Sequence, residues 1–176
     1  PRPPYRHGNP TEIKLLGKNN AAERVVHQRF NANNLIETRT TALARIHDDA
    51  QGRTIGRLSL GYDTGQLKLK AYCYYDADGD GGDPPALHFV SEADVSAGTW
   101  QEVSFRLRRD THTAAGEANG RFEWWMGDSS AGSATGLEMP DTVVLKSLDL
   151  GVVSTGGRSV TAVADELGIG APGASA

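Results

Sequence analysis

The stretch from Gly98 to Gly127, GTWQEVSFRLRRDTHTAAGEANGRFEWWMG, constrains the fold more than any other part of the chain. Val103, Phe105 and Leu107 alternate with Ser104, Arg106 and Arg108. Phe122, Trp124 and Met126 alternate with Arg121, Glu123 and Trp125. A strand sends successive side chains to opposite faces, so each run has one face to bury and one to leave in water. The Asn119-Gly120 pair, just before the second run, predicts a turn. Two adjacent antiparallel strands at the middle of an all-β domain are expected here.

The same period of two recurs along the chain. Thr11–Leu16, Glu23–Phe30 and Arg57–Tyr62 read as strands. Thr40–His47 is ambiguous, because Ala42, Ala44 and Ile46 share a face while Leu43 falls on the other; its threonines favour a strand. Asp63-Thr64-Gly65 closes a hairpin onto Gln66–Tyr75, where Leu67, Leu69, Ala71 and Cys73 alternate with Lys68, Lys70, Tyr72 and Tyr74. Leu87–Val90, Val143–Leu145, Leu148–Val153 and Val160–Ile169 supply the rest, and the small, polar stretch Ser129–Pro140 reads as a loop. About ten to twelve short strands separated by turns predict a two-sheet antiparallel jelly-roll sandwich. Residues 1–10, with four prolines, form an extended N-terminal arm, residues 11–170 the jelly-roll domain, and residues 171–176 a C-terminal tail.

A chain of 176 residues can bury the core of one domain. Its net charge of −4 offers no basic surplus for nucleic acid. No apolar run reaches the length of a membrane span. The single cysteine, Cys73, cannot form an internal disulfide and sits where a small core residue belongs. The polar, proline-rich start at Pro1 does not read as a signal peptide, and if Pro1 is the native start a protein made in the cytoplasm is expected. A virion surface is the expected destination, with an extracellular or cell-surface location as the alternative.

The second half resembles the concanavalin A-like jelly-roll superfamily, and within it the laminin-G-like modules. The resemblance rests on Gly98-Thr99-Trp100, Asn119-Gly120, Phe122-Glu123-Trp124-Trp125, Leu150-Gly151, Gly156-Gly157 and Asp165-Glu166-Leu167-Gly168-Ile169-Gly170. It implies the concanavalin A-like fold and leaves activity open, since that superfamily holds lectins, glycosidases, lyases and structural modules.

Glycan-cutting hydrolases of this superfamily need carboxylates at alternate positions of one strand, and no Glu-x-Asp-x-Glu run is present. Its polysaccharide lyases need Arg, Gln, His and Tyr side chains on concave strands, and no matching run stands out. Glu123 alone reads as a partner for Arg121 or Arg106. The histidines at 7, 27, 47, 88 and 112 have no metal-ligand spacing, so none is assigned a site. Asp76, Asp78, Asp80 and Asp83 alternate through a Gly-rich loop that resembles the first half of a calcium loop, although Leu87 stands where the closing bidentate Glu belongs. Calcium is therefore the one candidate cofactor, against a plain solvated hairpin tip. Trp100 is expected to pack at a strand start. Trp124 and Trp125 face opposite sides, and Trp125, with Tyr72 and Tyr74, is the candidate ligand-binding platform, for sugar stacking or for a protein contact.

With no catalytic set recognised, the expectation is a non-catalytic assembly module, a decoration, cement or tail component of a virus or phage particle. Its partners would be other proteins or copies of itself. The alternative is a carbohydrate-binding or adhesion module, Ca²⁺-dependent if the aspartate loop is loaded.

Overall fold

A computed structural model describes residues 11–14, 23–33, 40–48, 53–77, 85–112, 117–140, 142–143, 145, 147–150 and 161–170. Eleven strands run in chain order: β1 (Thr11–Lys14), β2 (Glu23–Asn33), β3 (Thr41–Asp48), β4 (Arg53–Asp63), β5 (Gln66–Tyr75), β6 (Ala86–Asp94), β7 (Trp100–Arg108), β8 (Gly120–Met126), β9 (Ser129–Leu137), β10 (Ser147–Leu150) and β11 (Thr161–Gly170). They form a six-stranded sheet, β1-β10-β3-β4-β5-β6, and a five-stranded sheet, β11-β2-β7-β8-β9. Every pairing is antiparallel. The all-β sandwich expected from the alternation is present. The proposed arm and tail, residues 1–10 and 171–176, lie outside the described residues.

The core is built by the predicted inward positions. Leu58, Leu60, Leu69, Ala71 and Cys73 come from one sheet, and Val26, Phe30, Val103, Phe105, Leu107, Phe122 and Trp124 from the other. Phe105 and Phe122 stack with centroids 5.9 Å apart across the β7–β8 pair. Burial drives the Cys73 thiol up to about 12, so it packs as a small apolar group and does not ionise. The β4–β5 hairpin turns on Thr64 and Gly65, both at positive φ (48° and 82°), the primed turn whose twist matches the strands. In β3 the register shifts between Ala42 and Ala44, so Leu43 is the extra residue of a bulge and is buried with both neighbours.

Three readings are corrected. Val143 and Leu145, expected on a strand, belong to no strand, although both side chains are buried. Ser129–Leu137 is an edge strand, not a loop. Its small residues are required where it crosses Trp124: the indole Nε1–H donates to Ser91 Oγ at 2.7 Å, and a Cβ at Gly132 would lie 1.8 Å from that oxygen. Asn119-Gly120 is not a turn. Gly120 opens β8, and a Cβ there would meet the Leu137 carbonyl at 2.3 Å, so the glycine permits strand contact. Asn119 instead closes the β7–β8 loop: its amide N–H donates to Asp110 and its side chain accepts from the Thr111 N–H, both at 3.1 Å.

Among the buried polar residues described, Gln28 stands out. Gln28 faces inward on β2 between Val26 and Phe30, fully buried, and neither amide atom has a hydrogen-bond partner. A dehydrated, unpaired amide costs stability. Gln28→Met should therefore raise the free energy of unfolding by about 1–2 kcal/mol, read as a higher denaturant midpoint. A lower midpoint would mean that a buried water already satisfies the amide.

Candidate functional site

Most inward positions of β3, β4 and β5 are apolar, so the polar residues of these strands collect on the outer face. On β3 the buried Ala44 and Ile46 leave Arg45 and His47 outside; on β5 the buried Ala71 and Cys73 leave Lys70, Tyr72 and Tyr74 outside. Register aligns these across strands. Asp149 pairs with Arg45, Arg45 with Arg57, Arg57 with Tyr72 and Tyr72 with Phe89, an unbroken line over β10, β3, β4, β5 and β6. Beside it run Ser59, Lys70 and Glu92. Tyr72 meets Phe89 edge-on at 5.8 Å, and Phe89 is 52% exposed.

Among the described side chains of this face, charge is compensated at all but one place. Asp149 Oδ2 accepts from Arg45 at 3.0 Å and from His47 Nε2 at 2.8 Å. An ionised carboxylate only accepts, so Nε2 donates, and in the neutral imidazole Nδ1 is then the nitrogen with the lone pair. Lys68 Nζ lies 2.5 Å from Asp94, and Lys70 Nζ 3.0 Å from Asp63. Hydrogen bonds donated to these carboxylates push both ammonium groups up, and Lys70 in return holds the Asp63 carboxyl down. Arg53 donates to the buried Asp48 carboxylate at 2.7 Å, which pushes the guanidinium up, and to the Tyr74 hydroxyl at 3.4 Å. Arg57 lies 4.5 Å over the Tyr72 ring, and it has no carboxylate partner. Among the described side chains of this face it is the one cation left uncompensated. It occupies β4, with β3 and β5 on either side.

The expected platform divides. Tyr72 and Tyr74 stand on this face, whereas Trp125 belongs to β8 in the other sheet and points away from them. Trp124 is the buried member of the pair. Trp100, expected to pack, is 43% exposed with the Arg29 guanidinium 5.5 Å over its ring. Glu123 pairs with Arg121 at 2.6 Å, as expected. Asp76 is buried, and its N–H donates to the Glu138 carbonyl at 2.9 Å, tying the end of β5 to the end of β9. Asp78, Asp80 and Asp83 lie outside the described residues.

Sequence reasoning passed over Arg45, His47 and Arg57. Their signal was the alternation Arg45-Ile46-His47, and Arg57 between Gly56 and Leu58. Asp149 carried none, because it reaches His47 from 102 positions away.

The sequence matches no family model and no curated protein. Solved structures do match. An endo-β-1,4-glucuronan lyase from the fungus Trichoderma reesei superposes with a TM-score of 0.61 at 15% identity, over 96% of this chain and 77% of that one. An alginate lyase from Pseudomonas aeruginosa gives 0.53 at 15%, over 85% and 64%. Sheep galectin-11 gives 0.52 at 11%, over 93% and 99%. The fold is the concanavalin A-like jelly roll. These likenesses overturn the expectation of a non-catalytic virus or phage particle component: the neighbours are mostly polysaccharide lyases, with a galectin among them. No run of Arg, Gln, His and Tyr on concave strands stands out in the sequence. The structure collects Arg45, His47, Arg57, Tyr72 and Tyr74 onto one outer face from three strands.

Proposed function

We propose that this chain is a carbohydrate-active protein that lays a polyuronate across the outer face of the six-stranded sheet and cleaves it by β-elimination. Arg57 carries the reading: a guanidinium without a carboxylate, beside exposed aromatic rings, is a receptor for a sugar carboxylate. The solved neighbours named as lyases of glucuronan and alginate support it, since both polymers are polyuronates.

Arg57 pairs with the uronate carboxylate and neutralises it, which acidifies the proton α to it. His47 Nδ1, freed by the Nε2–Asp149 hydrogen bond, takes that proton. The electron pair forms the ring double bond and expels the glycosidic oxygen β to the carboxylate. The Tyr74 hydroxyl, from the same face, returns a proton to that oxygen.

The test incubates the protein with glucuronan, alginate and a neutral β-glucan. It reads retardation in affinity gels and the ultraviolet absorbance of the conjugated unsaturated uronate. Retardation by a polyuronate together with new absorbance is the expected result. Retardation without absorbance leaves a binding module, the reading that the galectin likeness favours. Free migration through both polyuronates would overturn the proposal.

A further inference from the structure

The outer face of the five-stranded sheet carries a second aromatic site. Register aligns Gly168, His27, Ser104, Trp125 and Ser130 in one line across β11, β2, β7, β8 and β9. The half-buried Trp125 therefore has a serine on each side. His27 Nδ1 and Ser104 Oγ are 2.8 Å apart, which fixes that hydroxyl beside the indole. Toward the end of β8 the next residue on this face is Gly127, held by its N–H to the Glu102 carbonyl at 2.9 Å, so β8 itself sends no further side chain over the ring there.

The adjoining rows are electrically closed. Arg29 meets Glu102 at 3.6 Å. Arg106 pairs with Glu23 and stands 3.9 Å from Glu123, which also binds Arg121 at 2.6 Å. A half-buried indole bordered by hydroxyls and by compensated charge suits an uncharged sugar, whose C–H face stacks on the exposed part of the ring while its hydroxyls meet the serines. On the opposite side of the sandwich, by contrast, the Arg57 guanidinium has no carboxylate partner.

We propose that Trp125, with Ser104 and Ser130, forms a second carbohydrate-binding site, for a neutral pyranose, on the side of the sandwich facing away from Arg57. This site stands independently of the β-elimination reading. Isothermal titration calorimetry with a neutral cello-oligosaccharide and with an oligouronate tests it, on the wild type, Trp125→Ala, Trp125→Phe and Arg57→Met. The cello-oligosaccharide should bind the wild type, weaken roughly tenfold or more in Trp125→Ala, and recover in Trp125→Phe. Arg57→Met should leave it unchanged while losing the oligouronate, so a failure on the other face is separately visible. Equal affinity of wild type and Trp125→Ala for the neutral oligomer overturns the site, and so does an absence of binding to the wild type. A wild-type dimer that Trp125→Ala dissociates in sedimentation would also overturn it, by making a second copy the occupant of the indole.

Discussion

Arg57→Met should weaken polyuronate binding about ten- to a hundred-fold, the equivalent of losing one charge-assisted, two-pronged hydrogen bond. The effect is large because the other cations of that face already hold carboxylates: Arg45 has Asp149, Lys68 has Asp94, and Lys70 has Asp63. None can take over without breaking its own pair. Arg57→Lys should recover only part of the loss, because an ammonium is a point charge without the planar fork. Thermal stability should change little, since the guanidinium's contact is its stack on Tyr72. Arg108→Met, exposed on the other sheet, serves as a control for nonspecific charge and should leave affinity unaltered. Wild-type affinity in Arg57→Met would remove the basis of the proposed polyuronate site.

Asp110→Ala should cost about 3 kcal/mol or more of stability, measured by denaturant unfolding. The Asp110 carboxylate is buried and accepts the backbone N–H groups of His112 and Asn119, both at 3.1 Å, and of Met139 at 3.4 Å. Its loss strands three donors at once, where the β7–β8 loop meets the end of β9. Burial alone would raise this carboxyl, but those backbone hydrogen bonds and the adjacent His112 ring outweigh it and hold the group below its usual value. Because the folded value is depressed, the contribution is fully present above the ordinary aspartate value of about 3.9. It fades as pH falls through the lower folded value. The stability gap between wild type and Asp110→Ala should thus be constant near neutrality and close in acid. A gap that widens on acidification would contradict the assignment.

The strands were legible because burial writes a period of two into the sequence. Val103, Phe105 and Leu107 pointed inward as their spacing required, and Thr64-Gly65 turned as its residues required. Edge strand β9 was not legible: Ser, Ala and Gly carry no apolar alternation, and their smallness is explained only by the Trp124 indole beneath Gly132. The site was half legible. Tyr72 and Tyr74 were singled out correctly as outward residues, but Trp125 was joined to them across a sandwich that separates them. Which two outward faces coincide depends on strand order, and β10 reaching β3 to bring Asp149 onto His47 is a long-range event that no local pattern encodes.

The sealed thiol has a practical corollary. Cys73, the chain's one cysteine, is buried and remains protonated in ordinary buffers. Maleimide reagents should therefore leave the folded protein unmodified. A cysteine introduced on either broad surface would be its single reactive handle, and fluorophores could be attached to one side of the sandwich at a time without first mutating the native residue.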